Sequence, residues 1–289
     1  MKKRTPEQLK GQIRNFAGKR KLQSQEVLQM FLLERVLERV SKSRYKDNFI
    51  LKGGLLISSM IGIMERTTLD MDTTVTGINM EEKEIERVIR EILLIDVGDG
   101  IEFVFEKLEP IREEDAYNDF RAYLVAHYGK IANKMKLDIT TGDEITPGAV
   151  QYSYMTILDN DKINIKAYNI ETIIAEKYET IIRRNIGTSR ARDFYDLYVV
   201  LKMYKDSISP DILKSAIIRT ATKRDSIQML SEWSEVIEDM KDDPGLNALW
   251  KNYCDNNVYA VGIDYEKIIE AILEIAKMLS LGNQQHHLR

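Results

Sequence analysis

The sequence predicts an α/β fold of the α+β kind. It has a helical lead-in, an α/β region to about residue 165 built on a mixed, largely antiparallel sheet, and a helical region from 166 to 289. Three observations predict it. Five β-patterned runs, at 101–109, 120–128, 133–140, 150–158 and 163–168, follow one another through short turns such as Gly129-Lys130 and Pro147-Gly148. Parallel neighbours need longer crossovers, so these runs should pair mainly antiparallel. Between 49 and 76, apolar strand, diglycine, helix and strand succeed one another, and after Tyr168 apolar residues recur at helical steps to about 280.

Each element has its own signal. Leu9, Ile13 and Ala17 follow Pro6 at a loose helical spacing, and Ser24 reads as the N-cap of a stronger helix to Arg39, with Val27, Leu28, Phe31, Leu32, Val36, Leu37 and Val40 on its apolar face. Phe49-Ile50-Leu51 is a short strand, Lys52-Gly53-Gly54 a turn, and 55–64 an apolar helix whose Met60, Ile61 and Ile63 suit either the core or another subunit. The run 69–76 alternates with β-branched enrichment, and 81–94 is a charged helix with Ile85, Val88, Ile89 and Ile92 inward. Tyr123, Tyr128, Tyr152 and Tyr154 alternate along two strands, as sheet-face packing or as a base-stacking platform, with packing the simpler reading. Asn169 caps a helix over 170–184 and Ser189 one over 190–204; further helices follow at 210–223, 226–241, 246–253 and 264–280, with a turn at Asp242-Asp243-Pro244-Gly245 and a disordered tail from 284.

Composition narrows the function classes. With 44% hydrophobic and 30% charged residues the chain is globular, and apolar runs such as 92–95 fall far short of the roughly 20 residues that cross a bilayer. A single cysteine and a start without an apolar leader make the cytoplasm the expected compartment. The net charge of −4 argues against a nucleic-acid partner only on average. Residues 1–21 carry eight basic side chains against Glu7 alone, and 130–136 and 183–192 are basic as well, offset by acids such as Glu81, Glu82, Glu84, Glu86, Glu113, Glu114 and Asp115.

The chemistry-bearing stretch is Lys52-Gly53-Gly54 followed by Arg66-Thr67-Thr68-Leu69-Asp70-Met71-Asp72-Thr73. Strand period puts Asp70 and Asp72 on one face. Two inward carboxylates repel and resist desolvation, so a fold that holds them there supplies a cation; Mg²⁺, or Mn²⁺, suits an oxygen-ligand site shared with phosphates. A solvated face is the plain alternative. A diglycine that ends a strand and opens a helix allows close backbone approach and presents free N–H groups to an anion. Asp138 lies on an alternating strand and completes a metal triad if that strand neighbours 69–76; otherwise it is an edge-strand acid paired with Lys134 or Lys136. Lys177 sits among Ile173, Ile174, Ile181 and Ile182, where an ammonium needs an anion. Arg183, Arg184, Arg190 and Arg192 surround Gly187 without an acid, and Arg190 and Asp193 share a helical face with Asp196 or Leu197. This cluster reads either as interhelical salt bridges or as a cationic clamp in which Asp193 orients Lys177 or an arginine.

The order K-G-G, R-x-[ST]-x-D-x-D, L-D-[IV], A-[ED]-K and R-x-[KR]-D-x-x-D-L, with Leu-Glu-Arg-Val at 33–36, resembles the AbiEii/AbiGii nucleotidyltransferase-like toxins of type IV abortive-infection toxin–antitoxin pairs. The resemblance spans roughly 25–200. It implies a polymerase-β-like domain over 1–165 and a helical domain over 166–289 that contributes Lys177 and Asp193. It also implies transfer of a nucleoside monophosphate from an NTP to an RNA acceptor, the tRNA 3′ end, and a separately encoded antitoxin in a phage-defence setting. By matching position, Asp70 and Asp72 bind metal with Asp138 as a further ligand or proton acceptor. Lys52, Gly53, Gly54, Arg66, Thr68 and Arg190 bind the nucleotide, Lys177 meets the triphosphate, and Asp193 is essential. Two departures stand out. Gly54 and Leu55 replace the superfamily's Ser, leaving Ser58, Thr67, Thr68 or water to assist the phosphate, and Arg192 replaces a common Lys. The competing classes are an NTP-binding module without catalysis and a small-molecule nucleotidyltransferase.

Overall fold

The structure, a computed structural model, describes residues 4–111 and 119–281. Glu113, Glu114, Asp115 and the tail from 284 lie outside them. The described chain runs α1 (Pro6–Arg20), α2 (Ser24–Lys42), β1 (Phe49–Lys52), α3 (Gly53–Ile61), β2 (Asp70–Val75), α4 (Glu82–Leu93), β3 (Glu102–Pro110), β4 (Phe120–Tyr128), β5 (Ile131–Thr141), β6 (Val150–Met155) and β7 (Lys162–Ala167). Then follow α5 (Ile170–Arg184), α6 (Ala191–Tyr204), α7 (Pro210–Lys223), α8 (Ile227–Ser231), α9 (Trp233–Lys241), α10 (Pro244–Asn256) and α11 (Tyr265–Leu281). It forms two compact units, residues 1–142 with 150–167 and residues 143–149 with 168–289. No described helix is long and apolar enough to cross a membrane.

In the first unit all seven strands form one sheet in the order β3-β4-β5-β2-β1-β7-β6. Pairing is mixed: β2–β5 and β1–β7 are parallel and the other neighbours antiparallel. The five later strands do not run side by side as expected. The earlier β1 and β2 are inserted between β5 and β7, because their Val, Ile, Thr and Leu side chains bury more completely at the centre than at an edge. One face is the core, where Phe103, Phe105, Leu124, Met135, Leu137, Ile139 and Met71 alternate inward. Helices α2 and α4 cover it. Arg39 lies 4.7 Å from the Phe103 ring and Arg90 4.4 Å from that of Phe105, while Arg39 forks onto buried Asp99 with two 2.8 Å bonds. Helix α2 starts at its expected cap, one residue early: Gln23 is the N-cap in a capping box with Glu26, and Ser24 is the first helical residue. The Leu-Glu-Arg-Val motif is internal to this core, since Glu34 and Arg35 are both buried.

In the second unit Asn169 caps α5 as expected, accepting from the Thr172 N–H at 2.8 Å. Three local expectations differ. Asp243 is the N-cap of α10, so Pro244-Gly245 opens a helix rather than a turn, Pro being suited to a first turn whose N–H has no partner anyway. The helix expected over 226–241 breaks at Glu232 into α8 and α9. Helix α6 begins at Ala191 with Arg190, not Ser189, in the cap position, and it has no side-chain cap because a guanidinium offers no acceptor; the Arg190 side chain pairs with Asp193 instead.

Candidate active site

The sheet brings the predicted carboxylates together by register. In β2, Met71 is buried while Asp70 and Asp72 face the other way, and Asp72 lies opposite Lys52 of β1 on one side and Asp138 of β5 on the other. The assumed adjacency of the Asp138 strand is thus observed. Neither Lys134 nor Lys136 holds Asp138, and β5 is not an edge strand. Both Asp138 oxygens accept instead from Arg121 of β4, at 2.7 Å each. Among the described residues no three carboxylate, histidine or cysteine side chains are grouped to hold a metal ion. What stands at the site is a carboxylate pair with a third acid engaged by an arginine.

The diglycine is built around Asp72. Gly53 has φ +64°, and a Cβ there would lie 2.0 Å from Asp72 Oδ2, so only glycine fits. The Gly54 N–H, a free donor at the start of α3, points at the same oxygen at 3.3 Å. A Cβ on Gly54 would meet Thr68 Oγ1 at 2.5 Å and the buried Arg66 guanidinium at 2.9 Å. Thr68 donates to Asp70 Oδ1 at 2.8 Å, and Arg66 donates to the Thr67 carbonyl. Thr68 and Arg66 therefore fix Asp70 and the diglycine from beneath. Each hydroxyl named as a phosphate helper already has a protein acceptor: Ser58 the Arg66 carbonyl, Thr67 Glu26, and Thr68 Asp70.

The electrostatics suit a cation. Burial, reinforced by Asp70 and Asp138, pushes the Asp72 carboxyl up to about 6, against the pull of Lys52 and the Gly54 N–H. A half-buried carboxylate pair with this repulsion could hold one divalent ion through oxygens of Asp70 and Asp72.

The second cluster lies in the second unit. Lys177 of α5 reaches Asp193 at 2.8 Å and Asp196 at 2.7 Å, both on α6, and Arg190 reaches Asp193 at 2.6 Å. Burial works to lower the Lys177 pKa, but the two carboxylates outweigh it and hold the ammonium protonated. Burial likewise opposes ionisation of Asp193, and Lys177 and Arg190 overcome it. Sequence reasoning singled out Lys177, Asp193 and Arg190, and placed Asp196 on the right face without giving it a role. It missed Arg121 altogether, because the only signal for it is the cross-strand register of β4 on β5.

The first unit thus carries a strand-borne carboxylate pair set against a glycine-opened helix, the arrangement on which the sequence resemblance rests. The family model described as nucleotidyl transferase AbiEii toxin, type IV TA system, matches residues 35–271. The chain belongs to that family: it is a nucleotidyltransferase toxin of the type IV toxin–antitoxin class, and membership implies an NTP substrate and a cognate antitoxin. No curated protein matches the chain. Among solved structures, MenT4, a nucleotidyltransferase toxin of Mycobacterium tuberculosis, is 14% identical over 89% of this chain and 93% of its own, with TM-score 0.51. JHP933 of Helicobacter pylori is 17% identical over 92% and 97%, with TM-score 0.48. The likeness to MenT4 shows the nucleotidyltransferase fold.

Proposed function

We propose that this toxin is a divalent-metal-dependent enzyme that transfers NMP from an NTP to an RNA acceptor, the tRNA 3′ end, and that this serves abortive infection against phage. The observation that carries the reading is the Asp70–Asp72 pair, turned to one face of β2 and locked against a diglycine where no Cβ fits. Asp70 and Asp72 hold Mg²⁺ or Mn²⁺, which when bound supplies charge neutralisation for the triphosphate. Lys52 and the Gly53-Gly54 backbone border the nucleotide, Arg66 and Thr68 keep that border rigid, and Lys177 with Arg190 is the further cationic cluster assigned to the phosphates by the family motif. Asp193 positions Lys177.

In the reaction the acceptor hydroxyl oxygen bonds to the α-phosphorus and the bond from that phosphorus to the β-phosphate bridging oxygen breaks, releasing pyrophosphate. The hydroxyl proton goes to Asp138, which stands beside Asp72 and becomes available when Arg121 gives up one of its two bonds. Incubating the protein with total cellular RNA, Mg²⁺ and each α-labelled NTP in turn should label an RNA band with one preferred nucleotide. Asp70→Asn should abolish the label. Label on a soluble hydroxyl compound, or undiminished transfer by Asp70→Asn, would overturn the reading.

A further inference from the structure

The carboxylate face of the sheet continues past Asp138 onto β4 and β3, and its register sorts the side chains into rows. Lys107, Tyr123, Lys136 and Asp70 form one row across β3, β4, β5 and β2. Glu109, Arg121, Asp138, Asp72 and Lys52 form the next, ending on β1. The diglycine therefore lies on one side of the carboxylates and the Tyr123 row extends from the other. Lys107, Lys134 and Lys136 are exposed, and Tyr123 is half-buried between strands, its ring 4.7 Å from the Lys107 ammonium and 5.9 Å from that of Lys136. Lys107 also pairs with Glu109 at 2.5 Å, whereas among the described residues Lys134 and Lys136 have no carboxylate partner. An aromatic ring ringed by ammonium groups is a poor protein core and a good seat for an unpaired base with its flanking phosphates.

We propose that this face of β3, β4 and β5 is the docking platform for the single-stranded 3′ end of the RNA acceptor. Tyr123 stacks an unpaired base, and Lys107, Lys134 and Lys136 take the adjoining phosphates. The proposal rests on the nucleotidyl-transfer reading above and adds where the acceptor lies. With the nucleotide bordered by β1 and the diglycine, an acceptor on β4 and β3 brings its terminal hydroxyl to the carboxylates from the opposite side, past Asp138. The strands lie about 4.8 Å apart, so the Lys107–Tyr123–Lys136 row spans about 10 Å and leads straight to Asp70. Glu109 and Asp138 on this face are paired with Lys107 and Arg121, and among the described residues the exposed Lys134 and Lys136 add uncompensated positive charge, which favours a polyanion over a protein partner.

The test is binding of a fluorescent RNA hairpin with an unpaired 3′ tail, and of total tRNA, to the full chain, with steady-state transfer followed alongside. Tyr123→Ala should weaken RNA binding roughly 5- to 100-fold, the range expected for one lost stack, while leaving NTP binding unchanged. Tyr123→Phe keeps the ring and should bind within about twofold of the parent. Lys134→Gln and Lys136→Gln, at exposed positions that fold regardless, should each reduce the slope of log affinity against log salt by about 0.7 and raise the KM for RNA but not for NTP. Unchanged RNA affinity and salt slope in the lysine variants would overturn the platform, as would lost antitoxin neutralisation with normal RNA binding, which would make this face a protein interface. The Asp70→Asn control separates the two levels: if it abolishes transfer while the platform variants behave as parent, only the platform fails.

Discussion

At the scale of single residues, three residues make predictions that differ in kind. Gly53→Ala forces a Cβ into Asp72 at a left-handed φ, so it should abolish transfer and lower stability by more than the roughly 1 kcal/mol of an ordinary strained glycine site; thermal unfolding and label transfer would check both. Arg121 forks onto Asp138 in a row that already holds Asp72. Arg121→Gln should leave three neighbouring carboxylates without that cation, so its melting temperature should fall more in EDTA than in Mg²⁺; an equal fall in both would show that Arg121 does not offset the repulsion. Glu34 is the third. It is buried, accepts from Tyr154 Oη at 3.1 Å and the Ile157 N–H at 2.9 Å, and burial pushes its carboxyl up to about 8. A folded-state pKa above the unfolded value means that the native chain holds a proton that the unfolded chain releases. This group therefore destabilises progressively as pH rises from about 4.5 to about 8 and adds nothing to the slope outside that window. Glu34→Gln keeps both acceptor contacts without the charge, so it should flatten the decline and gain on the order of a few kcal/mol above pH 8. A parallel pH profile in the variant would refute the assignment. Neither the Arg121 nor the Glu34 partnership is written in local sequence: Arg121 meets Asp138 through strand register, and Glu34 of α2 meets Tyr154 of β6 through tertiary packing.

At the scale of elements, legibility follows the range of the signal. Asn169 before α5 and Pro6 at the start of α1 were readable because a cap or a first-turn proline acts within four residues. Alternation along β2 and β5 was readable too: it puts Asp70 and Asp72 on one face of β2 and Asp138 on the side of β5 away from Met135, Leu137 and Ile139, and all three are half-buried. The insertion of β1 and β2 into the middle of the sheet was not, since equal short connections fit several strand orders. Helices α5 and α6 illustrate a functional motif with a structural duty. Lys177 pairs with buried Asp193 and Asp196 in the interior of the second unit, so removing it leaves Asp193 to Arg190 and takes the ammonium away from Asp196, and breaking such a buried pair typically costs about 3–5 kcal/mol. Lys177→Met should therefore lower the unfolding midpoint as well as activity. Combining it with Asp196→Leu should recover much of the stability and none of the transfer. If the double variant regains transfer along with stability, Lys177 is a structural ammonium and not a phosphate ligand.

At the scale of the whole molecule, the average charge of −4 conceals where the charges are, and the division into units decides how the nucleotide can be followed. The carboxylate pair belongs to the first unit, whereas Lys177 and both tryptophans, Trp233 and Trp250, belong to the second. Ligand binding to the native state stabilises whatever it touches by RT ln(1 + [L]/Kd), about 2.7 kcal/mol at a hundredfold excess over Kd. For a chain of this size that is a shift of about 4–5 °C. Mg²⁺ with the preferred NTP should slow amide exchange in β1 and β2 of the first unit, and Asp70→Asn should remove that protection. The tryptophan signal then asks a separate question. If Lys177 engages the triphosphate, the same ligand must also raise the midpoint of tryptophan-reported unfolding, and Lys177→Met with Asp196→Leu must erase that second shift while sparing part of the first. Protection confined to β1 and β2, with the tryptophan transition unmoved, would leave Asp70 and Asp72 as the nucleotide site and take Lys177 out of it.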